Sequence, residues 1–146
     1  MNSLFDPAEK QNILNRIQKL TPGSQAQWGK MNVAQMLTHC QQPLRVVYGE
    51  MKLKRNLMGV LFGKMIKRML LKDEPYKPSL PTAKEFIITD SREFENERKK
   101  LIDLVKRFST DQISKDPHPL FGTMTPAEWD FMQWKHLDHH LRQFAV

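Results

Sequence analysis

Cysteine is almost missing from this sequence. Cys40 is the one thiol in 146 residues, so no intrachain disulfide can form. That usage suits a reducing compartment. No apolar run reaches the length of a membrane span. The opening MNSLFDPAEKQN has no basic stretch followed by an apolar core, so no secretory leader is read there. A cytoplasmic location is the expectation. Strand signals are scarce too: EFIIT, Glu85 to Thr89, has the composition of a strand but no partner to pair with. Acidic residues are missing from one particular place. Between Met51 and Lys72 seven basic residues stand without an acid, while the rest of the chain balances at 16 against 16. The net charge of +7 therefore belongs to one segment.

What is present fits one globular domain spanning residues 1–146. The hydrophobic fraction is 40%, the charged fraction 27% and the aromatic fraction 9%, which excludes a disordered composition. That length buries a core without disulfide staples.

Helix signals dominate. DPAE at Asp6–Glu9 offers an N-cap, a first-turn proline and a third-position glutamate. Ile13, Ile17 and Leu20 follow at helical spacing, and TPG at Thr21–Gly23 stops the run. A second helix is predicted from Asn32, with Val33, Leu37, Cys40, Leu44, Val47 and Met51 recurring every three or four residues. Pro43 lies inside it and deprives the His39 carbonyl of its helical partner, so a kink or local opening is expected there. LMGVLFGKMIKRMLL reads as a basic helical insertion, prone to break at Gly59 and Gly63. Pro75, Pro78 and Pro81 then make an extended connection. The next helix is predicted from Asp90 or Ser91 to about Phe108, with a Glu95–Lys99 ion pair. After a polar loop, TPAE at Thr125–Glu128 repeats the opening device and starts a last helix. Four substantial helices without paired strands imply an all-α protein, a four-helix bundle with the basic insertion after its second helix.

The last helix carries HLDHHLRQF, and with it two possible pairs, His136/His139 and His136/His140. At about 100° per residue, His136 and His140 stand about 40° apart, beside Trp129, Met132 and Gln143. Leu137, Leu141, Phe144 and Trp134 extend that inward arc. Glu128, Lys135, Asp138 and Arg142 make the expected solvent face, and His139 lies near its edge. His39 faces inward on the second helix. Three buried neutral imidazoles without partners would cost about 1–3 kcal/mol each, a cost that a shared metal ion offsets. Three histidines also leave a coordination position open, which suits catalysis better than structure. Zinc and nickel both accept such ligands.

Other residues carry weaker signals. Gln143, Gln35 and Asn32 fall on the histidine faces and are candidates to orient the ligands. The competing reading for them is ordinary capping, with Asn32 as an N-cap. His118, between Pro117 and Pro119, is either a rigid loop histidine bonded to backbone or part of the site's mouth. His139 is expected to be exposed or in a dimer contact. Cys40 reads as a small buried apolar residue, not a nucleophile. Trp129 and Trp134 read as core anchors. No inward carboxylate stands out as a general acid or base.

Taken together, His39 in MLTHC and His136, His140 and Gln143 in HLDHHLRQF resemble the DinB/YfiT-like superfamily of metal-binding four-helix bundles. Leu141 and Arg142 stand where that pattern has arginine and glycine, and HPLFGTMTPAEW at His118–Trp129 looks like the signature of a divergent branch. The resemblance implies the four-helix fold, a metal held by His39, His136 and His140, often a homodimer, and for some members transfer of a low-molecular-weight thiol to electrophiles. The functional expectation is a metal-dependent enzyme of that kind, whose partners are a small-molecule thiol or electrophile. In one variant the basic segment is a lid whose lysines attract an acidic thiol. The alternatives are a non-catalytic metal-binding bundle, or a nucleic-acid or membrane-surface binder acting through residues 51–72. Neither nucleic acid nor a membrane surface is the expected partner.

Overall fold

A computed structural model describes residues 2–146. It is all-helical: α1 Pro7–Lys19, α2 Val33–Val47, α3 Leu57–Leu70, α4 Phe94–Arg107 and α5 Pro126–Gln143. Short 3-10 turns occupy Lys84–Phe86 and Thr110–Gln112. The described residues hold no strand; EFIIT instead begins inside the first of those turns. A lone antiparallel bridge joins His118 and Gly122. No helix among the described residues is long and apolar enough to cross a membrane.

The caps read from sequence form. Asp6 accepts from the Glu9 amide at 2.9 Å, and Pro7 opens α1. Asn32 and Gln35 form a reciprocal capping box on α2, and Thr125 and Glu128 form one on α5. Each such cap satisfies backbone donors that a helix start leaves unpaired and is worth about 1 kcal/mol.

Several boundaries differ from expectation. α2 stops at Val47, four residues before Met51, because Gly49 takes a φ of +70° and turns the chain. Through Pro43 the helix is continuous. α4 starts later than Asp90 or Ser91: Glu93 is the N-cap and accepts from the amides of Glu95 and Asn96. The Glu95–Lys99 pair does not form. Glu95 pairs with Arg98 at 2.6 Å and Lys99 with Asp103 at 3.0 Å. α3 does not break at its glycines. They face the 118–122 turn, where a Cβ on Gly63 would stand 1.9 Å from the Leu120 carbonyl oxygen. The glycines let two backbones meet, which compensates their poor helix propensity.

α1 packs on α4 and α5, and α2 packs on the same two helices. Ile13, Ile17, Met36, Leu37, Leu44, Leu101, Phe108, Leu137 and Leu141 are buried at the centre. Each contributes about 1.5–3 kcal/mol relative to an exposed position. This packing sets the inward face of α2, which carries His39, toward α5.

The expected solvent face of α5 is largely covered. Lys135 is 6% exposed. Its Nζ donates to the carbonyls of Leu70 at 2.8 Å and Lys72 at 2.5 Å, at the end of α3, where carbonyls lack helical partners. The rings of Tyr76 and Phe131 flank the ammonium. Glu128 pairs with Lys67 of α3 at 2.9 Å. Asp138 is shared by Arg16 and Arg142, each at 2.9 Å. The physical reason is topological: the segment after α2 returns across the outer side of α5 at Glu128 and Lys135, and α1 reaches it at Asp138, which a wheel of α5 alone does not show.

Two carboxylates are inward, against expectation. Asp130 accepts from the Leu4 amide at 2.6 Å and from Ser3 Oγ. Glu97 accepts from Gln41 Nε2 at 2.8 Å and Lys100 Nζ at 3.0 Å. Both are tied to neighbours in this way, and they serve packing: Asp130 fastens the N-terminal segment to α5, and Glu97 joins α4 to α2.

Candidate metal centre

His39, His136 and His140 converge. One ring nitrogen from each lies within 4.8 Å of the others. The Nε2 atoms of His39 and His136 are 3.1 Å apart. Two donors at a tetrahedral zinc, with bonds of about 2.0–2.1 Å, stand roughly 3.3 Å apart, so this spacing fits two ligands of one ion. Sequence spacing supplied the His136/His140 pair, and the packing of α2 on α5 supplies the third member.

Hydrogen bonds fix two of the three tautomers. His39 Nδ1 lies 2.8 Å from the Phe86 carbonyl oxygen. An oxygen of that kind only accepts, so Nδ1 carries the hydrogen and Nε2 keeps its lone pair. His140 Nδ1 lies 2.7 Å from Gln143 Oε1. Gln143 Nε2 in turn donates to the Trp28 carbonyl at 2.7 Å, which sets the amide's orientation. His140 Nε2 is therefore also a free lone pair. His136 retains partial exposure where it lines the cavity, while its Nδ1 is enclosed and finds no partner among the described residues. Its Nε2 is the nitrogen that faces His39, and the donor set as a whole matches what a divalent metal takes.

All three rings are held neutral. Burial lowers His39 below the ordinary histidine value of 6.5, partly opposed by the Phe86 carbonyl. Burial lowers His136 well below it, helped by His140, His39 and His139. Burial and then His39 bring His140 to about 3, against the pull of Gln143. Neutral imidazole is the metal-binding form.

The cluster lies in the wall of a cavity of about 530 Å³. Its lining is mainly apolar and contains no Asp or Glu; Lys30 is its one lysine or arginine. The inner face of α3 forms part of the wall through Met58, Gly59, Gly63, Ile66, Met69 and Leu70. Lys64 and Arg68 lie outside and exposed. A lid whose lysines face a bound acidic thiol is therefore not what α3 presents.

The other sequence candidates fall out as follows. Gln143 touches a histidine of the cluster. Asn32 and Gln35 are occupied by their capping box, and Gln35 Nε2 also donates to the Asp90 carbonyl. Cys40 is buried, its Sγ 3.6 Å from Met36 Sδ, and burial pushes its thiol up, as expected of an inert residue. Trp129 is buried, whereas Trp134 is only partly so. His118 is the rigid loop histidine: its Nδ1 accepts from the amides of Leu120 and Phe121, and it also lines the cavity.

His139 is neither exposed nor free for a dimer contact. It is 8% exposed, packed between the rings of Trp28 and Tyr76 and beside His140. The covered side of α5 again accounts for this. Tyr76 was not singled out from sequence; it stands in a proline-rich connection with no periodic signal. Its hydroxyl is enclosed, lacks a partner among the described residues, and belongs to a ring lining the cavity. Gly29 was also missed. At φ +82° it lies so near that a Cβ would stand 2.7 Å from Gln143 Nε2, so this glycine admits the amide that orients His140.

Residues 5–146 match the family described as "Protein of unknown function (DUF1569)", and the chain belongs to that family. No curated protein and no solved structure matches it.

Proposed function

We propose that this DUF1569 chain is a divalent-metal-dependent enzyme on a DinB/YfiT-like four-helix bundle, acting on a small, mainly apolar electrophile with a low-molecular-weight thiol as the nucleophile. The observation that carries the reading is the convergence of three neutral imidazoles, two with their protons locked away on Nδ1. The pairing of α1 and α2 with α4 and α5 supports the bundle, with α3 as the insertion.

His39, His136 and His140 would hold zinc or nickel, and a bound divalent ion supplies a Lewis acid that favours thiolate over thiol. The chain's own residues do the rest. Phe86 and Gln143 orient two ligands. Leu53, Ile66, Met132 and Trp129 line a mainly apolar chamber that favours a hydrophobic substrate. The unpartnered Tyr76 hydroxyl is a ready donor to an acceptor on that substrate.

One observation favours a second reading, a metal-binding bundle without catalysis: no carboxylate lines the cavity to act as a base. Turnover separates the two. Metal-loaded protein is mixed with a chromogenic electrophile and a simple thiol, with and without chelator. Chelator-sensitive thioether formation, absent in His140→Ala, is the expected result. Metal uptake with no turnover leaves the second reading.

A further inference from the structure

α3 has a second apolar face, and it is bare. Leu61, Phe62 and Met65 form one stripe that takes no part in the cavity wall, with Leu61 64% and Met65 61% exposed, and Met58 and Met69, which line the cavity, are exposed beside it. Among the described residues, Ile87 is the one exposed large hydrophobic side chain outside α3. On a wheel at about 100° per residue the stripe spans roughly 100°, and Arg68 and Lys64 lie along one edge. The approach to the helix adds Lys52, Lys54 and Arg55, and its end adds Lys72. These six basic residues are exposed and make no ion pair among the described residues. Lys67, which pairs with Glu128, is the seventh and fastens the helix to α5.

We propose that α3 is an interfacial helix that seats the protein on an anionic lipid bilayer. An exposed apolar stripe bordered by unpaired cations is the pattern that inserts among acyl chains while its cations meet anionic headgroups. The charge favours this occupant over a second copy of the chain. Two α3 faces packed antiparallel on a twofold axis would oppose basic edge to basic edge with no acid in the segment to relieve them. The helix is held in place from behind by its glycine contact with Leu120 and by Lys135, so the stripe is presented without unfolding. This inference does not depend on the metal site.

The test is co-sedimentation of the full chain with phosphatidylcholine vesicles, with and without about a third phosphatidylglycerol. Binding to the anionic vesicles that weakens as salt rises is expected. Lys64→Gln with Arg68→Gln should weaken it by about thirtyfold, following about 1 kcal/mol per charge near the surface. Leu61→Ser with Met65→Ser, both exposed positions that leave the fold intact, should weaken it at least tenfold. Three results overturn the proposal: no sedimentation with anionic vesicles at low salt, equal binding to neutral vesicles that survives the Lys64 and Arg68 changes, or a stable dimer in light scattering that Met65→Ser separates. Duplex DNA binding without vesicle binding also overturns it.

Discussion

Gln143 holds His140 by its side chain, Oε1 lying 2.7 Å from His140 Nδ1. The amide cannot turn over without losing the Trp28 carbonyl on its other end. Removing this orienting bond should weaken metal affinity 10–100-fold. Gln143→Leu is expected to show that loss in a competitive zinc titration while keeping its helical circular dichroism. Gly29→Ala should act in the same direction, because its methyl would displace the amide. Unchanged affinity in both would remove Gln143 from the site.

The two glycines of α3 should respond differently to alanine. At Gly63 the added carbon meets a backbone oxygen, at Gly59 the movable Cδ2 of Leu120 at 2.6 Å. Backbone gives way less readily than a side-chain end. Gly63→Ala should cost about 1–3 kcal/mol in urea unfolding, as overpacking does, and Gly59→Ala less. Equal effects, or stabilisation at Gly63, would contradict the close approach.

Lys135→Met should loosen the end of α3. It leaves the Leu70 and Lys72 carbonyls without their charged donor while nearly keeping the stem's volume. A loss of about 1.5–3 kcal/mol is expected, with faster hydrogen exchange after Leu70. A silent substitution would show that the bonds from Lys135 to these two carbonyls do not hold the end of α3.

Acid should destabilise the fold through His118. Burial, and to a lesser extent Lys67, brings its pKa to about 4, and the Nδ1 that would take the proton already faces two amide hydrogens. The unfolded value is about 6.5. Between the two values the unfolded chain binds more protons, so stability is full above about pH 6.5 and falls as the pH drops toward 4. The whole shift corresponds to roughly 3 kcal/mol. His118→Gln should flatten this slope without abolishing it, since His39, His136 and His140 shift the same way. An unaltered slope would contradict it.

The sequence made the local features legible. Caps at Asp6, Asn32 and Thr125 are read from adjacent residues, and the inward pair His136/His140 follows from helix geometry alone. What failed was nonlocal. The burial of Lys135 and His139 depends on α3 and the proline-rich connection crossing α5, and no periodicity within α5 records that. The glycines of α3 looked like breaks because their partner, Leu120, lies more than fifty residues away. The orienting carbonyls of Phe86 and Trp28 are backbone atoms, which carry no side-chain signature at all. Asp130 was passed over because its partners, Ser3 and Leu4, sit at the far end of the chain.

Metal stoichiometry of tag-free protein tests the centre most directly. Purified protein is stripped with chelator, titrated with zinc and with nickel, and compared with His39→Ala, His136→Ala and His140→Ala. The expected result is close to one equivalent bound by the parent chain, with each single substitution weakening or abolishing uptake, while His139→Ala retains it. A folded parent chain that takes up neither metal, or one whose uptake survives the loss of His39 or His140, would contradict the three-histidine site.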